Sequence, residues 1–175
     1  MIASSNPTAK IVLHRDRDYL KDEEAAEWEK QVRALNVEPF LTNGTDIEAS
    51  FVNAAHLCEL NPNISKDEFE DMIAWVANYH NSDFIERYVN GRVDIERKNG
   101  TYGQLNLGQL ANEAPRMLGT QPEKYWHGKT LLRRLREEFR SRHSAAMRDM
   151  QPSSHLRHDL LISVSTKVFG LKQTK

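Results

Sequence analysis

The chain lacks the features that mark several protein classes. It has one cysteine, Cys58, in 175 residues, so no disulfide can close within it and a cytoplasmic setting is expected. No apolar run approaches the roughly 20 residues that span a bilayer, so no membrane partner is expected. Met1 to Lys10 has no basic segment followed by a long apolar core, which argues against a secretory leader. Asn43-Gly44-Thr45 matches a glycosylation sequon, but without a leader it reads as a turn. There is no internal repeat and no low-complexity stretch. The chain is 39% apolar, 8% aromatic and 28% charged, with a formal net charge of −1. That composition belongs to a folded globular protein and excludes wholesale disorder.

The small net charge conceals two halves of opposite sign. Residues 1–127 carry 13 Lys and Arg against 21 Asp and Glu, a net of −8, whereas residues 128–175 carry 11 against 4, a net of +7. Acidic clusters hold divalent cations and basic helices hold phosphates, although both also occur as plain solvated surface.

Residues 10–15, Lys-Ile-Val-Leu-His-Arg, are short, apolar and β-branched, the pattern of a buried strand. Asp22 to Asn36 is an amphipathic helix with an acidic first turn that suits the helix dipole. Residues 37–41 form a second strand, an edge strand where it carries Pro39. Strand, helix and strand at this spacing predict a parallel pair joined by a right-handed crossover. Beyond residue 45 the pattern is helical. Helices are predicted over 46–60, from the Ser65–Glu68 capping box to about Gly91, over 105–118 with a break near Pro115, over 130–150, and over 154–169. Leu132, Leu135, Phe139 and Ala146 are expected to face inward from the fourth of these. The fold class is therefore α/β, a short parallel βαβ unit followed by a helical C-terminal region.

Three short constellations carry chemistry. Asp16-Arg17-Asp18 follows the first strand. In extended backbone, residues two apart point the same way, so both carboxylates are expected at the carboxyl edge of a parallel sheet, where such folds place their sites. Close carboxylates repel unless a cation lies between them, and Mg²⁺ prefers such hard oxygens. Asp46-Ile47-Glu48 follows the second strand, and adjacent parallel strands bring the two acidic pairs to one edge. Helix-terminal acids complementing a dipole are the plain alternative. The third is Trp126-His127-Gly128-Lys129-Thr130-Leu131-Leu132. There Lys129 opens a basic helix, and Lys129, Arg133, Arg136 and Arg140 share one stripe. A lysine beside free backbone N–H groups suits a phosphate oxyanion. Gly128-Lys129-Thr130 resembles the end of a nucleotide phosphate loop, but that loop needs glycine where this chain has Glu123, so it is excluded.

In this order the three motifs resemble the TOPRIM domain of OLD-family (overcoming lysogenization defect) nucleases. The resemblance runs from about residue 10 to 137. It rests on Asp16 and Asp18 in His14-Arg-Asp-Arg-Asp18, Asp46 and Glu48 in Thr45-Asp-Ile-Glu-Ala49, and Lys129 in Gly128-Lys-Thr-Leu-Leu132. It implies divalent-metal-dependent cleavage of a phosphodiester. Asp16, Asp18, Asp46 and Glu48 would bind Mg²⁺ or Mn²⁺, Lys129 would face the scissile phosphate, and Arg133, Arg136 and Arg140 would extend a track for DNA or RNA. It further implies residues 1–60 as a partial TOPRIM-like core and 61–175 as the helical region, with a setting in phage defence or repair beside an ATPase.

Two departures accompany the resemblance. The family often has a hydroxyl residue where this chain has Asp46, and its upstream acid has no counterpart in Met1 to Ala9. The chain is therefore expected to be the C-terminal portion of such a domain, its sheet completed by a second copy or by a partner protein. The alternative is a non-catalytic module with a degenerate TOPRIM fold that binds nucleic acid or protein. A third reading is an interaction protein whose acidic and basic halves drive head-to-tail association. His155 and His158 read as exposed helix residues and Cys58 as a small core residue. Trp28 and Trp75 read as core, and Trp126 as either a base-stacking or a packing group.

Overall fold

The computed structural model describes residues 10–156 and 159–170. Two strands, β1 (Val12–Arg15) and β2 (Glu38–Leu41), flank helix α1 (Asp22–Ala34). They pair in parallel with Val12 opposite Glu38 and Arg15 opposite Leu41, and make a two-stranded sheet. A 3₁₀ turn follows (Ile47–Phe51), then α2 (Ala54–Leu60), α3 (Lys66–Tyr79) and α4 (Asn81–Lys98). A second 3₁₀ turn (Tyr102–Gln104) leads to α5 (Leu107–Thr120), α6 (Pro122–Tyr125), α7 (Gly128–His143) and α8 (Asp159–Phe169). The small parallel α/β unit followed by a mostly helical region is therefore observed.

Local chemistry accounts for most of the element ends. Asp22, Glu23 and Glu24 fill the first turn of α1, and Glu24 closes it by accepting from the backbone N–H of Lys21 at 2.7 Å. Ser65 caps α3 through the N–H of Glu68, as the capping box predicts. Pro122 opens α6, where a missing N–H costs nothing.

Several expected boundaries moved. Residues 46–60 form two pieces, because Asn53 turns out of helical geometry and caps α2 by accepting from Ala55 and His56 N–H. The helix beginning at Lys66 stops at His80, which ends α3 and starts α4. The latter runs past Gly91 to Lys98. Pro115 lies inside a continuous α5, and Gly119 is still helical. Helix α7 ends at Ser144, whose φ of +52° is left-handed. The chain then turns back along α2, where Asn61 brackets Arg148 with two backbone hydrogen bonds. Ala146 is accordingly exposed.

One core unites the layers. Leu57, Phe69, Met72, Val76, Phe84, Ala114 and Leu135 are fully buried within it. Arg92 is buried among them with about 2% exposure. Its guanidinium reaches Glu24 and Glu96, both at 2.5 Å, and the carbonyl of Tyr19 at 3.1 Å. Trp28 packs against the core, whereas Trp75 is 41% exposed and stacks on Tyr79. Cys58 is half-buried and free.

Candidate functional site at the carboxyl ends of the strands

The carboxyl ends of β1 and β2 are stitched together by two buried threonines. Thr42 accepts from the backbone N–H of Arg17 at 2.8 Å and donates to the carbonyl of Gly44 at 2.7 Å. The carbonyl of Thr45 accepts from Asp18 N–H at 2.7 Å. The Thr45 hydroxyl donates to the carbonyl of Trp126 at 2.9 Å and accepts from Gly128 N–H at 3.3 Å. Buried hydroxyls with such full pairing fix backbone positions. One residue pair thus joins the first acidic segment, the second acidic segment and the start of α7.

Asp46 fastens the same joint. It is about 3% exposed. One oxygen accepts from Ala49 N–H at 3.0 Å and the other from Lys129 N–H at 3.1 Å. It caps the 3₁₀ turn and also meets the open end of α7. Burial raises its pKa above the ordinary carboxylate range, against the pull of those two backbone donors. Gly128 makes the contact possible. A Cβ there would lie 2.1 Å from an Asp46 oxygen and 2.2 Å from Ala49 N.

His127 precedes α7 and caps it. Its Nδ1 accepts from Thr130 N–H at 3.2 Å, which leaves the hydrogen on Nε2, 3.6 Å from Asp46. Burial, followed by Arg87 and Lys129, lowers its pKa, so the ring is neutral at pH 7.

Three side chains then converge from three distant segments. The Lys129 ammonium lies 3.7 Å from Asp16 and 3.8 Å from Glu48. Asp16 is 30% exposed and Glu48 21%. One oxygen of each, Asp16 Oδ1 and Glu48 Oε2, is buried without a hydrogen bond. Asp18 departs from its expectation. Its φ is +51°, so it turns away instead of continuing extended backbone from Asp16. It lines a cleft against α4, where burial, then the Asp16 charge, raises its pKa. Among the described residues no group of three or more His, Cys, Asp and Glu side chains is arranged to hold a metal ion.

The basic stripe on α7 divides. Arg133 pairs with Glu137 on its own helix at 2.9 Å. Arg136 makes a two-pronged pair with Asp149, and is committed to holding the returning chain. Arg140 is exposed, with no carboxylate partner among the described residues. Lys129 and Arg140 thus remain the ends of a track whose middle is partly neutralised. Trp126 packs near Phe84 at a ring separation of 6.3 Å and joins the core margin, which makes it a packing group. His155 is exposed and 3.7 Å from Glu59, and His158 lies outside the described residues.

Sequence reasoning missed Thr42, Thr45 and His127. The clustering of Thr, Asn and Gly after β2 signalled a turn but not its partners. His127 carried no signal beyond its place before Gly128-Lys129. Among the described residues no helix is long and apolar enough to cross a membrane. Comparison with known protein families, with characterised proteins and with solved structures finds no match to this chain.

Proposed function

We propose that the protein is a divalent-metal-dependent phosphodiesterase acting on nucleic acid, of the TOPRIM type that its motifs resemble. One observation carries the proposal. Asp16, Glu48 and Lys129 come from segments up to 113 positions apart in the chain and meet within 4 Å of a common ammonium. The donors fit Mg²⁺ or Mn²⁺ in kind, since they are carboxylate oxygens and two of them are buried with no hydrogen bond. They are too few to hold the ion alone, so water would fill the remaining positions. Asp16 and Glu48 would be the ligands, whereas Asp18 turns away into the neighbouring cleft. Asp46 takes a supporting part, because both its oxygens already accept from the backbone.

A bound divalent ion supplies Lewis-acid activation of water and of the scissile phosphate. Lys129 moves from the two carboxylates to a non-bridging phosphate oxygen and offsets the charge that develops there. His127, neutral and hydrogen-bonded to Thr130, orients the turn that presents Lys129. The open edge of β1, with Leu13 44% exposed, is where a further strand from a second copy or a partner protein would add.

Cleavage of supercoiled plasmid and of single-stranded oligonucleotide in Mg²⁺ and in Mn²⁺, against EDTA, tests the proposal. Wild type should cleave. Asp16→Ala and Glu48→Ala should each lose about 100-fold or more in rate at unchanged melting temperature. Absence of cleavage by wild type in both metals, or undiminished cleavage by Asp16→Ala, would contradict it.

The second reading, a non-catalytic nucleic-acid-binding module, is favoured by Lys129 already occupying the space between Asp16 and Glu48 and offsetting part of their charge. It requires salt-sensitive binding that survives Asp16→Ala and weakens in Lys129→Ala.

A further inference from the structure

Beside the carboxylates lies a cleft of about 500 Å³ between α4 and the start of α7. That volume is in the range of small-ligand sites. Asp18 and His127 stand in its wall on the side of the candidate site. Half of its charged side chains are already paired. Asp83 is paired with Arg134 at 3.1 Å, Asp94 lies 3.6 Å from Arg97, and Arg133 is held by Glu137. Arg87 and Lys98 differ. Both are exposed, and neither forms an ion pair with a carboxylate among the described residues. Arg87 and Lys98 line the same cleft as Asp18, Tyr19 and His127. Glu86, exposed at the rim, is the one acid of the α4 wall left to oppose them.

Tyr19 gives the second indication. It also lines the cleft, is 5% exposed, and its hydroxyl has no hydrogen-bond partner. A buried hydroxyl without a partner is destabilising, and that cost is relieved when a ligand oxygen pairs with it. The ring cannot swing away. Tyr88 packs edge-on at 5.5 Å, and Gly91 yields to it so closely that a Cβ there would sit 2.1 Å from the ring. A fixed phenol donor and two free cations beside a phosphate-cleaving centre suit an anionic, oxygen-rich ligand.

We propose that this cleft holds the nucleotide adjoining the scissile phosphate of a single-stranded nucleic acid, with its phosphate on Arg87 and Lys98 and an oxygen on the Tyr19 hydroxyl. The proposal rests on the phosphodiesterase reading and adds the substrate's form to it. The cleft's volume suits one unpaired nucleotide, so a base of a single strand or a frayed end enters it at less cost than one that must first leave a duplex.

The test is fluorescence anisotropy in EDTA with a labelled oligothymidylate and with a duplex of equal length. Wild type should bind the single strand more tightly. Arg87→Ala/Lys98→Ala should weaken that binding about tenfold and reduce the salt slope by about 1.4. The charge-matched control Lys30→Ala/Arg116→Ala should leave both unchanged. Tyr19→Phe, which keeps the ring, should weaken binding about two- to tenfold. Equal binding by wild type and Arg87→Ala/Lys98→Ala, an equal loss in the control, or preference for the duplex would overturn the cleft. Metal is absent, so the two ideas fail separately. Binding without any cleavage retains the cleft and sinks the phosphodiesterase. Cleavage undiminished in Arg87→Ala/Lys98→Ala does the reverse.

Discussion

Gly128 stands where helix α7 comes closest to the Asp46 carboxylate, and the absence of a side chain there is a steric requirement. Gly128→Ala should destabilise the protein by about 2–3 kcal/mol and lower the melting temperature, because either Asp46 or the first turn of α7 must retreat. An unchanged melting temperature would show that the joint is looser than its distances imply. His127 allows a pH test. Its pKa in the folded state is depressed by burial, so the neutral ring is favoured on folding. The stability this supplies is fully present above the unfolded value near 6.5 and is lost as pH falls from there through the folded value. Wild type should lose more stability than His127→Asn between pH 7 and pH 5.5, by up to about 1.4 kcal/mol per unit. Asparagine can keep the cap to Thr130 N–H, so thermal melts of the two proteins isolate the titration. Parallel pH profiles would contradict the assignment. Residue identities in the motifs were readable from sequence, but their division of labour was not. Asp46 and Glu48 are two positions apart, yet one is consumed by backbone donors and the other faces Lys129. Only the turn between them decides which is which.

Helices with strong apolar stripes were readable as elements, because Phe69, Met72 and Val76 repeat on one face of α3 as they do in the core. Their ends were readable only where a side chain closes them, as Ser65 does. His80 interrupts the path from Lys66 to Lys98 with no glycine or proline to announce it. The chain just beyond Ser144 is held by Asn61 on the carbonyl of Arg148 and by His56 on the carbonyl of Asp149, more than 80 positions away. Arg92 had no sequence signal, since an arginine in a charged helix normally faces water. In the fold it ties α4 to α1 through Glu24. Arg92→Ala should cost about 3–5 kcal/mol by leaving Glu24 and Glu96 half-buried without their cation. Arg92→Met, combined with Glu24→Gln and Glu96→Gln, should recover part of that loss. Chemical denaturation reads both, and a neutral Arg92→Ala would show that the triad is dispensable.

Across the whole molecule, the acidic N-terminal part and the basic C-terminal part meet at several points, Arg134 with Asp83 and Lys167 with Glu38 among them, and at the candidate site Lys129 from the latter sits between Asp16 and Glu48 from the former. The strand pairing anticipated the shared edge of the Asp16 and Glu48 segments, whereas the approach of Lys129 was expected only from the family resemblance. A parallel strand pair brings its carboxyl ends together, and α7 packs against the 3₁₀ turn that carries Glu48. The cleft beside α4 was invisible in sequence, since Arg87 and Lys98 lie in an unremarkable charged helix and acquire meaning only next to Tyr19 and Asp18. If the meeting point is a metal site, the lysine and a divalent cation compete for the same two carboxylates. The most direct measurement is calorimetric titration of Mn²⁺ into wild type, Asp16→Asn/Glu48→Gln and Lys129→Met. Wild type should bind the metal, the double variant should not, and Lys129→Met should bind more tightly by about tenfold, because a competing positive charge is gone. No binding by wild type and Lys129→Met alike, or binding that the double variant retains, would contradict a metal centre between these strands.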